Sequence, residues 1–193
     1  LNTRLEGRGG VTGTPGVKGK TVSLDITTIR GRMEDLLKLT TKAEKPVLLG
    51  AIDFRTKCVL PPGPAAVMDK LQLNGRFAVK AARFTSQDVE EKITHLSLRA
   101  QGRPGGLDNT DLTVASNFSG RFILKNSVAS LSGLSFSVPG AVIKLDGSYG
   151  LKSEAMDFHG TARMQAKLSQ MVTGFKSILL KPVDRFFSKD GAG

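Results

Sequence analysis

One eight-residue pattern occurs three times in this chain, and it constrains the fold more than any other feature. The pattern is a large apolar residue, a small polar residue, Gly, any residue, an aromatic residue, any residue, an aliphatic residue and Lys. Its copies span residues 73–80, 118–125 and 145–152. Because apolar side chains recur at every second position, each copy is predicted to be a strand with one apolar face. Gly75, Gly120 and Gly147 fall on that face, where the sheet can curl.

Alternation and turn signals of the same kind extend over most of the chain. They predict a mainly β (α+β) protein, built as a long curled antiparallel sheet with a few short helices. We expect one domain over residues 1–193, a fragment of a longer chain, in which residues 1–60 can form a partly separate strand–helix–strand portion. Residues 7–16 are predicted to be turn-rich. The predicted strands are 22–27, 47–60, 71–85, 112–125, 128–138, 141–151 and 156–168, and the predicted short helices are 32–39, 65–70 and 87–99.

The charge of the chain indicates an anionic partner. There are 28 Lys and Arg residues against 17 Asp and Glu residues, which gives a formal net charge of +11. Such an excess favours nucleic acid or acidic lipid headgroups, although it also serves solubility alone. A nucleic-acid role is the less favoured of the two. Phe77, Phe122 and Tyr149 share a face with aliphatic residues, whereas Arg76 and Arg121 point to the opposite side, so the rings do not form stacking platforms.

Residues that commonly carry catalysis are sparse. Cys58 is the single cysteine, so neither an internal disulfide nor a cysteine-based zinc site is possible. His95 and His159 have no second metal ligand at a useful spacing. Gly13 and Gly19 have five residues between them, one more than the phosphate-binding P-loop requires, and a strand rather than a helix follows. We therefore expect no enzyme activity, no cofactor and no metal.

The last part of the chain predicts an amphipathic basic helix. Apolar residues recur at helical spacing from Leu168 to Phe187, with lysines and an arginine between them. The helix either covers one end of the sheet or lies on an anionic membrane surface with its apolar side down. The residues expected to face the membrane are Phe175, Lys176, Leu179, Lys181 and Phe186. No run of 18 apolar residues is present, so no transmembrane helix is predicted.

Several segments resemble the C-terminal region of AsmA-like proteins. These are residues 136–141, 145–149, 157–161, 166–170 and 181–184, with further similarity at 13–20 and 31–36. The resemblance implies a bacterial envelope protein in the periplasm, tethered to the inner membrane by an N-terminal anchor that this fragment lacks. It also implies a long twisted β-groove that takes part in phospholipid transport between membranes or in outer-membrane assembly. The family offers no catalytic residues.

The pattern and the resemblance together predict a groove for phospholipid acyl chains on the apolar side of the sheet. Lysines on the outer face or rim would meet the headgroups. The alternative is an architectural or interaction module, whose apolar face is closed by its own helices. The residues expected to line the groove are Phe77, Val79, Phe118, Phe122, Leu124, Leu145, Tyr149 and Leu151.

Overall fold

The computed structural model describes residues 2–40, 46–103 and 114–165, which form one antiparallel sheet with three helices. The sheet follows the order β1-β2-β4-β5-β6-β7-β8-β9, and the two-residue β3 pairs beside β2 with β4. The strands are β1 Arg4–Gly13, β2 Lys20–Ile29, β3 Gly31–Arg32, β4 Leu48–Leu60, β5 Gln72–Phe84, β6 Ser116–Lys125, β7 Val128–Val138, β8 Ala141–Gly150 and β9 Met156–Met164. The helices are α1 Met33–Thr40, α2 Val67–Lys70 and α3 Gln87–Ala100.

The predicted fold class is confirmed. The protein is mainly β, its strands form a long antiparallel sheet that stays open, and the helices of the described residues are short. Strands β1 and β9 are the edges of this sheet. The predicted C-terminal helix lies outside the described residues.

Most predicted strands are found close to their predicted bounds. Strand β7 spans Val128–Val138 as predicted, and β6 begins at Ser116 rather than at residue 112. Asn126 and Ser127 join these two strands with φ angles of 53° and 59°. Two positive φ angles are typical of the type I′ turn, whose twist matches that of the strands it connects.

The glycine-rich segment near the N-terminus is a strand, which corrects the prediction of a turn-rich segment over residues 7–16. Strand β1 pairs with β2 over ten consecutive residues, from Arg4 opposite Ile29 to Gly13 opposite Lys20. The connection beyond β1 runs from Thr14 to Gly19, so only the last three residues of the predicted segment lie in it. The pairing satisfies the backbone groups along one side of β1, and this long-range gain outweighs the low strand propensity of glycine.

Helices α1 and α3 pack on one side of the sheet, which we call the inner face, and build two apolar clusters at one end of it. α1 covers Leu48, Ile52, Val79 and Ala82 through its own Met33, Leu36 and Leu37. α3 places Val89, Ile93, Leu96 and Ala100 against Val138, Ala141 and Ile143. Both helices come from connections at the same end of the strands, so the described clusters gather there.

A β-bulge interrupts the middle of β7. The pairing of β7 with β8 shifts between Leu131 and Leu134, and Gly133 has a φ of 56°. Its backbone N–H donates to Oδ1 of Asp146 at 2.7 Å, so the donor that the bulge removes from the ladder keeps a partner. Such a bulge bends the strand and increases its twist locally.

Candidate functional site

The inner face is an apolar surface that extends across the sheet. Residues that pair on successive strands form rows across this surface. In two of these rows, glycines lie directly opposite large side chains of the next strand. Phe77 pairs with Gly120 and Gly75 with Phe122, and on the other half of the sheet Leu145 pairs with Gly160 and Gly147 with Phe158. The three repeat glycines therefore lie on the inner face, as the alternation predicts.

Four phenylalanine rings from β4, β5 and β6 pack together on this face. Phe54 and Phe122 are stacked, with ring centroids 5.6 Å apart and an interplanar angle of 14°. The centroid of Phe77 lies 5.0 Å from that of Phe118 and 6.5 Å from that of Phe122. Phe54 was not among the predicted groove residues. Its place in the alternation of Ile52, Phe54 and Cys58 is the signal that could have found it.

Four of the predicted groove residues belong to the end that the helices cover. Val79 is only 1% exposed and lies within the α1 cluster. Phe77 and Phe118 pack against the same cluster, and Leu145 packs against the α3 cluster. At this end the apolar face is part of the protein's own core.

Three other predicted groove residues lie farther from α1 and α3. Phe122, Leu124 and Tyr149 are on the inner face of β6 and β8 and belong to neither cluster of the described residues. Phe122 and Tyr149 are half-buried, and Leu124 is 6% exposed. Leu151 lies in the turn after β8, where its backbone N–H donates to the carbonyl of Ser127 at 2.8 Å. It marks the far end of the face.

Cys58 and Tyr149 are titratable side chains on the inner face. Burial raises the pKa of the Cys58 thiol, and burial together with the Glu154 carboxylate raises the pKa of Tyr149. Both groups are therefore neutral at physiological pH. Within the described ranges, no group of three or more His, Cys, Asp or Glu side chains could hold a metal ion. His95 lies on α3, and His159 is exposed on the outer face of β9.

The predicted membrane-facing residues Phe175, Lys176, Leu179, Lys181 and Phe186 lie outside the described residues. Among the helices that the structure does describe, none is long and apolar enough to cross a membrane. Arg76 and Arg121 lie exposed on the outer face, opposite to the rings, as predicted from the alternation.

Comparisons of the chain with family models, with curated proteins and with solved structures found no match. The resemblance to AsmA-like proteins therefore stays a prediction.

Proposed function

We propose that the protein binds phospholipid acyl chains on the inner face, as a non-catalytic part of a bacterial envelope protein. The role that this binding would serve is phospholipid transport between membranes or outer-membrane assembly. The periplasmic location and the inner-membrane tether belong to the same proposal. All of these rest on the sequence resemblance for their biological setting.

One observation carries the proposal. The inner face continues past the two helix clusters, and its large side chains there, Phe122 and Tyr149 among them, belong to neither cluster and are half-buried. A ten-residue strand is about 33 Å long, which is comparable to an extended lipid. Acyl chains lying along such strands would bury methylenes at about 0.8 kcal/mol each.

The glycines give this face its shape. Gly75 and Gly147 lie opposite Phe122 and Phe158, and atoms of each ring occupy space within 3 Å of where a Cβ atom of the glycine would be. An acyl chain needs only an apolar surface, because its attraction to such a surface is not directional.

The architectural alternative has support at the other end of the face. Val79, Leu48 and Ile52 are closed off by α1, and Ile143 and Val138 are closed off by α3, in the manner of an ordinary core. A module whose whole face is closed in this way would bind no lipid. The two functions therefore differ in what contacts Phe122 and Tyr149.

Lipid extraction and photo-cross-linking test the proposal directly. We expect phospholipid to copurify with the chain, and a lipid with a photoreactive acyl chain to label peptides that contain Phe122 or Tyr149. Val79 serves as the internal control, since it is buried under α1 and should stay unlabelled.

A charge placed on the inner face gives a second test. Ala129 is half-buried on the inner face opposite Leu124 and Tyr149, and its neighbour Ser130 is exposed on the outer face. Ala129→Glu should lower the amount of copurified lipid, while Ser130→Glu should leave it unchanged. Absence of phospholipid from the unsubstituted chain, together with no labelling near Phe122 or Tyr149, would support the architectural alternative.

A further inference from the structure

Three arginines stand side by side on the outer face of the sheet. Arg55 of β4 lies directly opposite Arg76 of β5, and Arg76 lies directly opposite Arg121 of β6. Neighbouring strands are about 4.8 Å apart, so three guanidinium groups share one line across the sheet. Like charges at directly opposed positions destabilise a sheet. We call these three residues the arginine row.

The row carries no ion pair within the described part of the chain. The ion pairs found there use Arg4, Arg32, Lys80, Lys92 and Lys152 as their cations. Asp53, two residues from Arg55 on the same face, has its carboxylate 3.7 Å from Nζ of Lys80. Among residues 2–40, 46–103 and 114–165, the row therefore concentrates positive charge that no ion pair neutralises.

A shallow depression of about 380 Å³ adjoins the row on the outer face. Arg55, Arg76 and Arg121 line it together with Lys57, Asn74 and Asp25. Asp25 is the single carboxylate in its lining, against four cations. Ser132 of β7 lies directly opposite Arg121 and adds a hydroxyl group to the outer face. Guanidinium groups present paired N–H donors that match the oxygen atoms of a phosphate group.

The surroundings of the row favour a bilayer surface over a macromolecule. The phenylalanine rings of β4, β5 and β6 point to the inner face, so bases of a single-stranded nucleic acid would find no ring to stack on here. A stable protein interface has an apolar core, and Ile123 is the only large apolar side chain beside the row on β6. An anionic bilayer needs only clustered cations.

We propose that the arginine row docks the protein on the surface of an anionic bilayer, with lipid phosphate groups accepting hydrogen bonds from the three guanidinium groups. The proposal does not depend on acyl-chain binding, because the two surfaces are opposite faces of the same strands. The protein would thus contact headgroups through the outer face of β4, β5 and β6, in addition to any contact made by its C-terminal segment.

Vesicle cosedimentation tests this docking. The probes are phosphatidylcholine vesicles that contain phosphatidylglycerol, compared with vesicles of phosphatidylcholine alone. Each clustered cation contributes about fivefold to binding at an anionic surface, so replacing all three arginines by Gln should weaken binding on the order of a hundredfold. The matched control replaces Arg8, Lys144 and Arg163 by Gln. These residues are also exposed on outer-face positions, and the control has the same net charge.

A large loss in the row variant, with a small loss in the control, supports the proposal. Equal losses in the two variants would mean that binding depends on net charge in general. Unchanged binding in the row variant would mean that another part of the protein binds the vesicles. Both results overturn the proposal. Loss of binding to a single-stranded oligonucleotide without loss of binding to vesicles would also overturn it. Thermal unfolding checks that each variant is folded. Lipid copurification tests acyl-chain binding and vesicle cosedimentation tests the arginine row. A negative result in the first experiment does not affect the second, so the two proposals can fail separately.

Discussion

Gly75 and Gly147 show how single residues shape the inner face. A Cβ atom built at Gly147 would contact the backbone carbonyl oxygen of Asp157 and lie 2.7 Å from Cγ of Phe158. One built at Gly75 would contact the backbone carbonyl oxygen of Arg55 and lie 2.7 Å from Cζ of Phe122. Real side chains do not approach so closely, so a larger residue would force both the ring and the backbone of the adjacent strand to move. Rings that cover a glycine of the adjacent strand also help to fix the register of the two strands.

Substitution of Gly147 by Ala tests this arrangement. We expect the free energy of unfolding to fall by about 1–3 kcal/mol, because the added methyl group clashes with the carbonyl oxygen of Asp157 and the ring of Phe158 and so disturbs the pairing of β8 with β9. Gly10→Ala is the matched control. No atom lies within 4 Å of a Cβ atom at Gly10, so the change should stay within about 0.5 kcal/mol. Urea unfolding measures both variants, and equal effects would contradict the steric explanation.

The position of these glycines could be predicted from the sequence, but their partners could not. Period-two alternation places Gly75, Gly120 and Gly147 on the apolar side without any knowledge of the fold. Which ring covers which glycine depends on the cross-strand register, and the register is set by turns and bulges elsewhere in the sheet. Only Gly120 lies opposite the β7 bulge, so the glycines do not all mark a bend.

At the scale of elements, strands with strong alternation were predicted well, and the edge strand β1 was missed. The sequence of β4 and β7 carries its own signal, since apolar side chains alternate with polar ones. β1 contains Gly7, Gly9, Gly10 and Gly13, which by themselves indicate turns. It becomes a strand through its pairing with β2, an interaction that no local pattern reports. The same limit applies to any edge strand that is poor in side chains.

A small cluster connects α2 to the turns at the far end of the sheet. Oδ1 of Asp69 accepts a hydrogen bond from Oγ of Ser127 at 2.8 Å and forms an ion pair with Lys152. The hydrogen bond from Lys152, followed by the one from Ser127, holds the pKa of Asp69 below its usual value. The four-residue α2 has no buried residue, so this cluster is a main attachment of the helix.

The lowered pKa predicts how stability changes with pH. A carboxylate whose folded pKa is lowered stabilises the fold above its unfolded pKa of about 3.9, and this contribution is lost as the pH falls through the folded value. Asp69→Asn should therefore lower the melting temperature at neutral pH, and lower it less at an acidic pH below about 3.9. Asp157→Asn, at an exposed site on β9, is the control. Melting curves at both pH values measure the effect, and an equal loss at both would contradict it.

At the scale of the whole molecule, the sheet has two faces with different chemistry. The inner face is apolar and partly covered by α1 and α3, whereas the outer face of β4, β5 and β6 carries Arg55, Arg76 and Arg121 in one row. The sequence predicts that arginines lie opposite to the rings. It does not predict that three of them meet, because residues 55, 76 and 121 are brought together by strand pairing alone. A surface of this kind is found only once the register is known.

The arginine row should cost stability, and this separates a binding role from a structural one. Arg76 has a cation directly opposite on both neighbouring strands, and directly opposed like charges destabilise a pair by about 0.2–1 kcal/mol. Arg76→Gln relieves both repulsions, so we expect the free energy of unfolding to rise by about 0.5–2 kcal/mol at low salt. Added salt screens the repulsion and should bring the variant and the unsubstituted chain closer together.

Arg163→Gln is the control for this stabilisation. Arg163 is exposed on the outer face of β9 and lies opposite Val142, so its removal relieves no cross-strand repulsion and should change stability little. Thermal unfolding at low and high salt measures both variants. A loss of stability in Arg76→Gln would mean that the guanidinium group serves the fold. A gain means that the fold tolerates an unfavourable row of charges, as expected where an anionic surface supplies the compensating charge.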